Sequence, residues 1–287
     1  AGISIWMATG DKPIVAKYIA ENCGLKPASK TYFELTNPTL TLSELAEKIS
    51  NFNPSNEIML ITGPVFHYMC RSSSVLDLLY EKLLVSTSVV FCLCTPIEKF
   101  EIIKNFRQRY DKVIAAIGDG GNDISMLKQA SVSFAIEGRD GEEAALVSDI
   151  SLTRFCDLQE LILFYGRDLT LRIINSSNLI SQSTYRMFFI QIFFMFSFGY
   201  SQMLMLSKWG HTNLSFLITL QASVSFGYVD SDLTLEEVRF TPSRYKDSQR
   251  RICFGIRENF QNLFLSIGQS LLIFTIGIWF FSTKNLF

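Results

Sequence analysis

The chain has 287 residues, of which 48% are apolar and only 18% are charged, and its formal net charge is −1. Such a composition excludes a disordered protein, and a nucleic-acid-binding protein would need a surplus of Lys and Arg that is missing here. The mean hydropathy of +0.23 is high for a purely soluble protein, so we predict a membrane part. The six cysteines form no CxxC pair, and we predict that they are reduced cytosolic thiols.

Short apolar runs alternate with amphipathic stretches in the first 155 residues. The pattern predicts strands at 3–7, 57–61, 88–92, 113–117 and 131–136, and helices at 12–23, 73–84, 96–109, 122–129 and from 141. Alternation of this kind predicts an α/β fold, a parallel sheet with helices on both faces. Ligands bind at the carboxyl ends of the strands in such sheets, which directs attention to the residues that follow ISIWM, VVFC and VIAAI.

Three uncharged stretches follow, at 187–206, 212–229 and 259–283. A helix needs about 20 apolar residues to cross roughly 30 Å of hydrocarbon, so we predict three membrane spans, joined to the α/β part by a helical stalk over 156–183. Residues 230–258 carry six Lys and Arg residues, whereas Lys208 is the one such residue between the first two spans. This asymmetry places residues 1–186 and 230–258 in the cytosol.

The strongest chemical signal is the run Gly118-Asp119-Gly120-Gly121-Asn122-Asp123, which follows a predicted strand and opens a predicted helix. Two carboxylates at such a turn suit Mg²⁺, which prefers hard oxygen ligands. The glycines allow the backbone to approach a phosphate closely. We therefore predict a magnesium site here, with an acidic turn of no chemical role as the alternative.

Two weaker features follow other strands. Thr9-Gly10-Asp11 comes directly after the first strand, and Lys99 lies in the first turn of the helix that begins at Pro96. A lysine at that place can reach a phosphoryl group held at the neighbouring strand ends. Alone, however, the triplet is common and a lysine in a first helical turn is more often solvated.

A threonine, then a lysine, then a GDGxND carboxylate pair, each after a parallel strand, is the ordered set of the haloacid-dehalogenase-like phosphotransferases, which the chain resembles. With the predicted spans, the resemblance narrows to the P-type ATPases of type IV, the phospholipid flippases. IWMATGDK resembles the family's WMLTGDK, VVFCLCTPIEK its VVCCRCxPxQK, and GDGGNDISMLK its GDGxNDVSMIQ. SDISLTRFCDLQELILFYGR and RYKD resemble runs beside the fifth and sixth spans, so the likeness reaches about residue 280.

The resemblance implies a haloacid-dehalogenase-like phosphorylation domain over 1–155 and a membrane domain over 184–287 whose spans match the fifth to the seventh. It implies Mg²⁺ and ATP as cofactors. Asp119 and Asp123 would bind the metal, and Lys99 and Thr9 would act in phosphoryl transfer. Arg186 would face a lipid headgroup or anchor its helix at the interface. The residues that would contact the nucleotide or phosphoryl group are Thr9, Gly10, Asp11, Lys99, Asn122 and Asp123.

A phospholipid substrate agrees with the composition of the predicted spans, because the first two contain no Asp or Glu, which cation transport would need. The resemblance implies an integral multi-pass protein of an endomembrane (Golgi or endosome) or of the plasma membrane, with its α/β domain cytosolic. Gly121, the run FCDLQEL and Arg186 favour the subgroup thought to act without an accessory subunit, although that requirement stays open.

The chain also departs from the family pattern. Leu93 replaces an arginine, the second span lacks the usual proline, and no Asp of residues 1–117 lies in a DKTGT context. We therefore expect a fragment or truncated gene, inactive alone and completed by a missing N-terminal part of the same ATPase. The alternatives are a membrane-tethered phosphatase that uses Asp230 of the run DSDLT, and a non-enzymatic remnant of such an ATPase.

Overall fold

A computed structural model describes residues 2–138, 141–200, 207–228, 233–245 and 256–284. The chain divides into two compact units, an α/β unit over 2–158 and a helical unit from residue 159 onward. The strands of the α/β unit are β1 (Ile5–Ala8), β2 (Thr31–Leu35), β3 (Glu57–Thr62), β4 (Ser88–Cys92), β5 (Ala115–Gly118), β6 (Val132–Ile136) and β7 (Ile150–Leu152). Its helices are α1 (Pro13–Asn22), α2 (Leu42–Asn51), α3 (Gly63–Met69), α4 (Ser73–Val85), α5 (Pro96–Arg109), α6 (Ile124–Gln129) and α7 (Glu142–Val147).

The strands form two parallel sheets. The first has the order β1-β4-β3-β2 and the second the order β5-β6-β7, and every pairing is parallel. The predicted α/β class with parallel strands is thus confirmed, but the prediction of a single sheet is wrong for the described strands. Elements β2, β7, α2 and α3 were not predicted, and the predicted helix at 122–129 opens with a 3₁₀ turn at Gly121–Asp123.

Strands β3 and β4 are buried on both faces, as expected for the central strands of a parallel sheet covered by helices. Helix α5 contributes to the cores of both sheets. Its Phe106 belongs to the core of the first sheet, while Ile103 lies in a second cluster with Ala116 of β5 and Leu127. The first turn of α5 is fixed by a capping box between Thr95 and Glu98, which satisfies backbone N–H groups that the helix leaves free.

The boundary between the units falls within α8 (Asp157–Glu160). The helical unit continues with a π-helical turn at Leu161–Gly166, α9 (Arg167–Ser197), α10 (Lys208–Tyr228), α11 (Leu235–Phe240), a 3₁₀ turn at Pro242–Arg244, and α12 (Ile256–Lys284). The predicted stalk is helical as expected, with the π-helical turn ending at Gly166. Leu163 of that turn packs with Leu233 and Val238. The same end of the unit carries an ion pair between Arg239 and Glu160.

Polar side chains join α9 and α12 at three successive turns. Asn262 Nδ2 donates to Asn178 Oδ1 at 3.2 Å, the Ser266 hydroxyl to the Gln182 carbonyl at 3.2 Å, and the Ser270 hydroxyl to the Arg186 carbonyl at 3.0 Å. Each bond joins residues 84 apart. A constant offset requires the two helices to run parallel in one register, and we call these contacts the α9–α12 polar ladder.

Among the described residues, one stretch is long and apolar enough to cross a membrane, Arg257–Trp279 within α12. It coincides with the third predicted span. The first predicted span ends in residues 201–206, which lie outside the described residues, and the second coincides with α10; both stay predictions. Asp230 also lies outside the described residues, whereas Thr234 of the same run is the N-cap of α11.

Candidate functional site

The loop after β1 holds the predicted Thr9-Gly10-Asp11 triplet at the carboxyl end of the first sheet. The Thr9 hydroxyl donates to Asp11 Oδ2 at 2.8 Å, and the loop is bound to the end of the neighbouring strand by two backbone hydrogen bonds. The Leu93 N–H donates to the Asp11 carbonyl at 2.9 Å, and the Cys94 N–H to the Thr9 carbonyl at 3.0 Å. These bonds fix the triplet relative to the start of α5.

Lys99 and Asp123 form the best-defined contact of the site. The Lys99 Nζ lies 2.7 Å from Asp123 Oδ1, and the two side chains are only 15% and 10% exposed. The pair joins the first turn of α5 to the acidic loop after β5. Ionised groups with so little solvent around them are normally paired, and a positive charge at this place can neutralise an anionic group at the strand ends.

The acidic loop follows β5. Its 3₁₀ turn closes with a hydrogen bond from the Asp123 N–H to the Gly120 carbonyl at 3.0 Å. A Cβ on Gly118 would lie 2.6 Å from the Cβ of Asp123, so glycine is required there for the loop to fold back over the strand end. Asp123 is buried, whereas Asp119 and Asn122 are exposed.

The oxygen atoms of Asp119 and Asp123 are the candidate ligands for Mg²⁺. No group of three or more His, Cys, Asp or Glu residues suited to a metal is present among the described residues. Mg²⁺ nevertheless needs only one or two carboxylates, because it keeps several waters and takes oxygens from substrate phosphates. The ion pair with Lys99 engages Oδ1 of Asp123, and Asp119 lies on the exposed side of the same loop. The two aspartates thus offer oxygen ligands of the type that Mg²⁺ prefers, and the magnesium site stays a prediction.

Sequence reasoning missed several residues beside the site. Glu98 is only 8% exposed; its carboxylate accepts hydrogen bonds from the Thr95 N–H at 2.6 Å and the Thr95 hydroxyl at 2.9 Å. A Cβ on Gly121 would lie 2.7 Å from Glu143 Oε2, so a further carboxylate approaches the acidic loop. The capping pattern Thr95-x-x-Glu98 could have been recognised in the sequence, whereas the approach of Glu143 could not.

Arg186 belongs to the helical unit. It lies on α9, where its Nη2 donates to the Ser183 hydroxyl at 2.7 Å. Its carbonyl accepts a hydrogen bond from the Ser270 hydroxyl, which is part of the α9–α12 polar ladder. The predicted residues of the α/β unit all lie at strand ends or at the start of α5, and Lys99 and Asp123 are in direct contact.

The parallel α/β unit is consistent with a haloacid-dehalogenase-like fold. Residues 97–144 match the family model of haloacid dehalogenase-like hydrolases. Residues 145–286 match the family described as phospholipid-translocating P-type ATPase C-terminal. The chain is thus similar to the type IV phospholipid-transporting P-type ATPases over most of its length.

Relatives of the same kind align with most of the chain. Phospholipid-transporting ATPase VD of Macaca fascicularis is 29% identical and aligns with 96% of this chain and 43% of its own length. Phospholipid-transporting ATPase VB of Homo sapiens is 26% identical, over 96% of this chain and 21% of the relative. Phospholipid-transporting ATPase NEO1 of Saccharomyces cerevisiae is 33% identical over 58% of this chain and 14% of the relative. The chain thus spans less than half the length of each of these relatives.

Proposed function

We propose that the chain is part of an ATP-driven phospholipid flippase, in which residues 1–155 serve phosphoryl transfer and the helices from residue 184 onward serve lipid translocation. The observation that carries the proposal is the contact of 2.7 Å between Lys99 and Asp123. It joins two strand-end segments that bear a cation and carboxylates, which is the combination that phosphoryl transfer requires.

Each residue of the site has a role in this proposal. Thr9, Gly10 and Asp11 contact the nucleotide or phosphoryl group, and Lys99 offsets the charge of the phosphoryl oxygens. Asp119 and Asp123 would hold Mg²⁺, with Asn122 beside them; when bound, the ion would neutralise charge on the transferred group. The exposure of Asp119 and the burial of Asp123 suit an ion that lies between the protein and an incoming phosphate.

The phosphoryl-accepting aspartate would come from a segment outside these 287 residues. This origin of the aspartate is supported by the positions of β1 and β5, because each is the edge strand of its sheet. Both are close to α5, because Trp6 of β1 meets Phe106 at a ring distance of 5.1 Å and Ala116 of β5 shares a cluster with Ile103. A further parallel strand beside these edges would bring its last residue to the Thr9 and Asp123 loops.

The helical unit supports a membrane location. Only 17% of the apolar stretch Arg257–Trp279 is buried, whereas the core helix of a soluble domain would be largely covered. Phe264 is 69% exposed and Leu272 59%, which suits lipid contact. We propose a multi-pass protein of an endomembrane or the plasma membrane, acting on a phospholipid whose headgroup could meet Arg186; the first unit would lie in the cytosol.

The metal site can be tested on the full chain in lipid nanodiscs by Mn²⁺ electron paramagnetic resonance, with Mg²⁺ as competitor. We expect Mn²⁺ to bind and Mg²⁺ to displace it. Asp119→Asn should weaken binding about tenfold or more, because it removes one of two charged ligands. The matched control is Asp111→Asn, an exposed aspartate outside the site. Absence of binding to the unaltered chain would favour the non-enzymatic remnant.

Lipid transport requires the remaining parts of an ATPase. The fission yeast relative C887.12 aligns with 99% of this chain, so the chain can replace the matching region of that protein. We expect the chimera to hydrolyse ATP and move a fluorescent phospholipid, and Lys99→Met or Asp119→Asn to abolish both. Turnover that survives either substitution would contradict the proposed roles.

A further inference from the structure

Gly63 begins α3 directly after β3, in a place where the backbone of another loop leaves no room for a side chain. A Cβ there would lie 2.5 Å from the carbonyl oxygen of Leu93 and 2.5 Å from Oε2 of Glu98. Cβ atoms are essentially never found so close to another heavy atom. The Glu98 side chain could move aside, but the Leu93 oxygen belongs to the backbone, so any larger residue would displace the loop after β4.

The loop after β4 binds the Thr9–Asp11 triplet, which lies in the loop after β1, through backbone hydrogen bonds. Leu93 has a φ of 53°, in the left-handed region that is costly for a residue with a side chain. The conformation directs its N–H to the Asp11 carbonyl and the next N–H, that of Cys94, to the Thr9 carbonyl. A strained residue of this kind persists only where its surroundings enforce it, and the close approach to Gly63 is one such constraint.

The second near neighbour of Gly63 is Glu98, which connects Gly63 to the Lys99–Asp123 contact. Glu98 accepts from the Thr95 N–H and hydroxyl and so fixes the first turn of α5. The next residue, Lys99, bonds Asp123 at 2.7 Å. A displacement of Glu98 would therefore shift Lys99 relative to the acidic loop, just as a displacement of Leu93 would shift the Thr9 loop.

We infer that Gly63 is a positioning residue for the phosphoryl-binding site. Because it has no side chain, the segment after β3 packs directly against the loop after β4, and we call this contact the interlocking of the two loops. The contact fixes the positions of both the Thr9–Asp11 loop and Lys99. The inference rests on the proposed function for what the site binds, but not for the interlocking itself. Gly63 lies outside the motifs that carry the chemistry, and its role depends only on the space around its Cα.

The test compares Gly63→Ala with Gly138→Ala in the full chain in nanodiscs, because a Cβ on Gly138 would have no heavy atom within 4 Å. The first measurement is hydrogen exchange of the Leu93 and Cys94 amides. We expect Gly63→Ala to speed it about tenfold while the β4 amides of Val89 to Phe91 stay protected, and Gly138→Ala to change neither. Unchanged exchange at Leu93 and Cys94 would overturn the inference.

The second measurement is the affinity for inorganic phosphate with Mg²⁺ present. A structural defect far from the site would leave this affinity unchanged. We expect Gly63→Ala to weaken the affinity for phosphate about tenfold. Leu93→Gly should leave the hydrogen exchange of the Cys94 amide unchanged, because glycine tolerates the left-handed backbone conformation. Equal phosphate affinity in Gly63→Ala and the unaltered chain would overturn the inference. If the unaltered chain binds no phosphate, the proposed function fails, while the exchange measurement still decides the interlocking.

If Gly63→Ala fails to fold, Glu98→Ala tests the same linkage from the other side. It removes the cap of α5 and leaves Gly63 intact, so phosphate affinity should fall while the exchange of Leu93 changes less than that of Lys99. Equal protection of the Lys99 amide in Glu98→Ala and the unaltered chain would contradict the role given to Glu98.

Discussion

Lys99 and Asp123 are 24 residues apart in sequence, yet their side chains meet at 2.7 Å with at most 15% of either exposed. The contact ties α5 of the first sheet to the acidic loop of the second. Because burial removes most of the surrounding water, the two charges depend on each other: either one alone would be an uncompensated buried ion.

Lys99→Met should therefore destabilise the α/β unit by about 3 kcal/mol, because it leaves the Asp123 carboxylate without its cation. Denaturant titration followed by Trp6 fluorescence measures this, since Trp6 packs in the core of the first sheet. The matched control is Asp77→Asn, which breaks the pair between Arg109 and a 57% exposed Asp77 and should cost less than about 1 kcal/mol. Equal losses in the two variants would show that burial does not decide the stability of the pair.

Cys92 and Cys94 are buried and Cys70 is half-buried, and all three thiols should resist alkylation. Burial raises the pKa of Cys70 to about 12, of Cys92 to about 11 and of Cys94 to about 12, so at pH 8 almost none of these groups is the reactive thiolate. Cys23 and Cys156 are exposed and should react within minutes with iodoacetamide. Mass spectrometry of the labelled peptides resolves the sites. Labelling of Cys94 as fast as Cys156 would mean that the loop after β4 opens readily.

Asp149 should give the second sheet a stability that depends on pH. Its Oδ2 accepts from the Ser133 hydroxyl and the Ser133 N–H, both at 2.8 Å, and these bonds lower the pKa of Asp149. Since the folded-state pKa is below that of the unfolded chain, the stabilisation is present above the unfolded pKa of about 3.9. It is lost as the pH falls through the folded-state pKa.

Asp149→Asn should accordingly lower the denaturation midpoint at pH 6 and have a smaller effect near pH 3. The midpoint measured across this range checks the sign, with Asp111→Asn as the control. A loss that stays constant with pH would indicate that shape, rather than the charge of Asp149, holds the Ser133 segment.

The α9–α12 polar ladder predicts which engineered cysteines can be joined. Asn178 and Asn262 are in hydrogen-bond contact at 3.2 Å, so a short bifunctional thiol reagent should join Asn178→Cys with Asn262→Cys in a chain whose native cysteines are replaced. Asn178→Cys with Ser270→Cys is the mismatched control, displaced by two turns, or about 12 Å. Non-reducing electrophoresis measures the cross-link. Equal yields in both pairs would contradict a single parallel register.

Several elements of the α/β unit follow from the sequence because their patterns are local. The apolar run of β4, the Pro96 start of α5 and the glycines of the acidic loop each specify their own conformation. The division into two sheets could not be predicted in the same way, because the pairing of an edge strand depends on residues far away in the chain. The π-helical turn at Leu161–Gly166 likewise leaves no signal in the apolar pattern.

The candidate site shows the same division. Thr9, Lys99, Asp119 and Asp123 were found from residue type and position after a strand, and the structure joins Lys99 to Asp123 directly. The sequence does not show why the loops lie where they do. Gly63 is an ordinary helix-start glycine until it is known that a Cβ there would lie 2.5 Å from the Leu93 oxygen, and α3, α4 and β4 separate these two residues in the chain.

The ladder also has a consequence for the order in which the helical unit is made. Ser266 and Ser270 are fully buried against α9. They emerge from the ribosome 84 residues after Gln182 and Arg186, whose carbonyls accept their hydrogen bonds. Until then, the Asn178 amide has no partner on α12. A nascent chain that stops before Ile256 therefore lacks the residues that fix the register of α9, so the native packing of this helix can be completed only after Ser270 has been made.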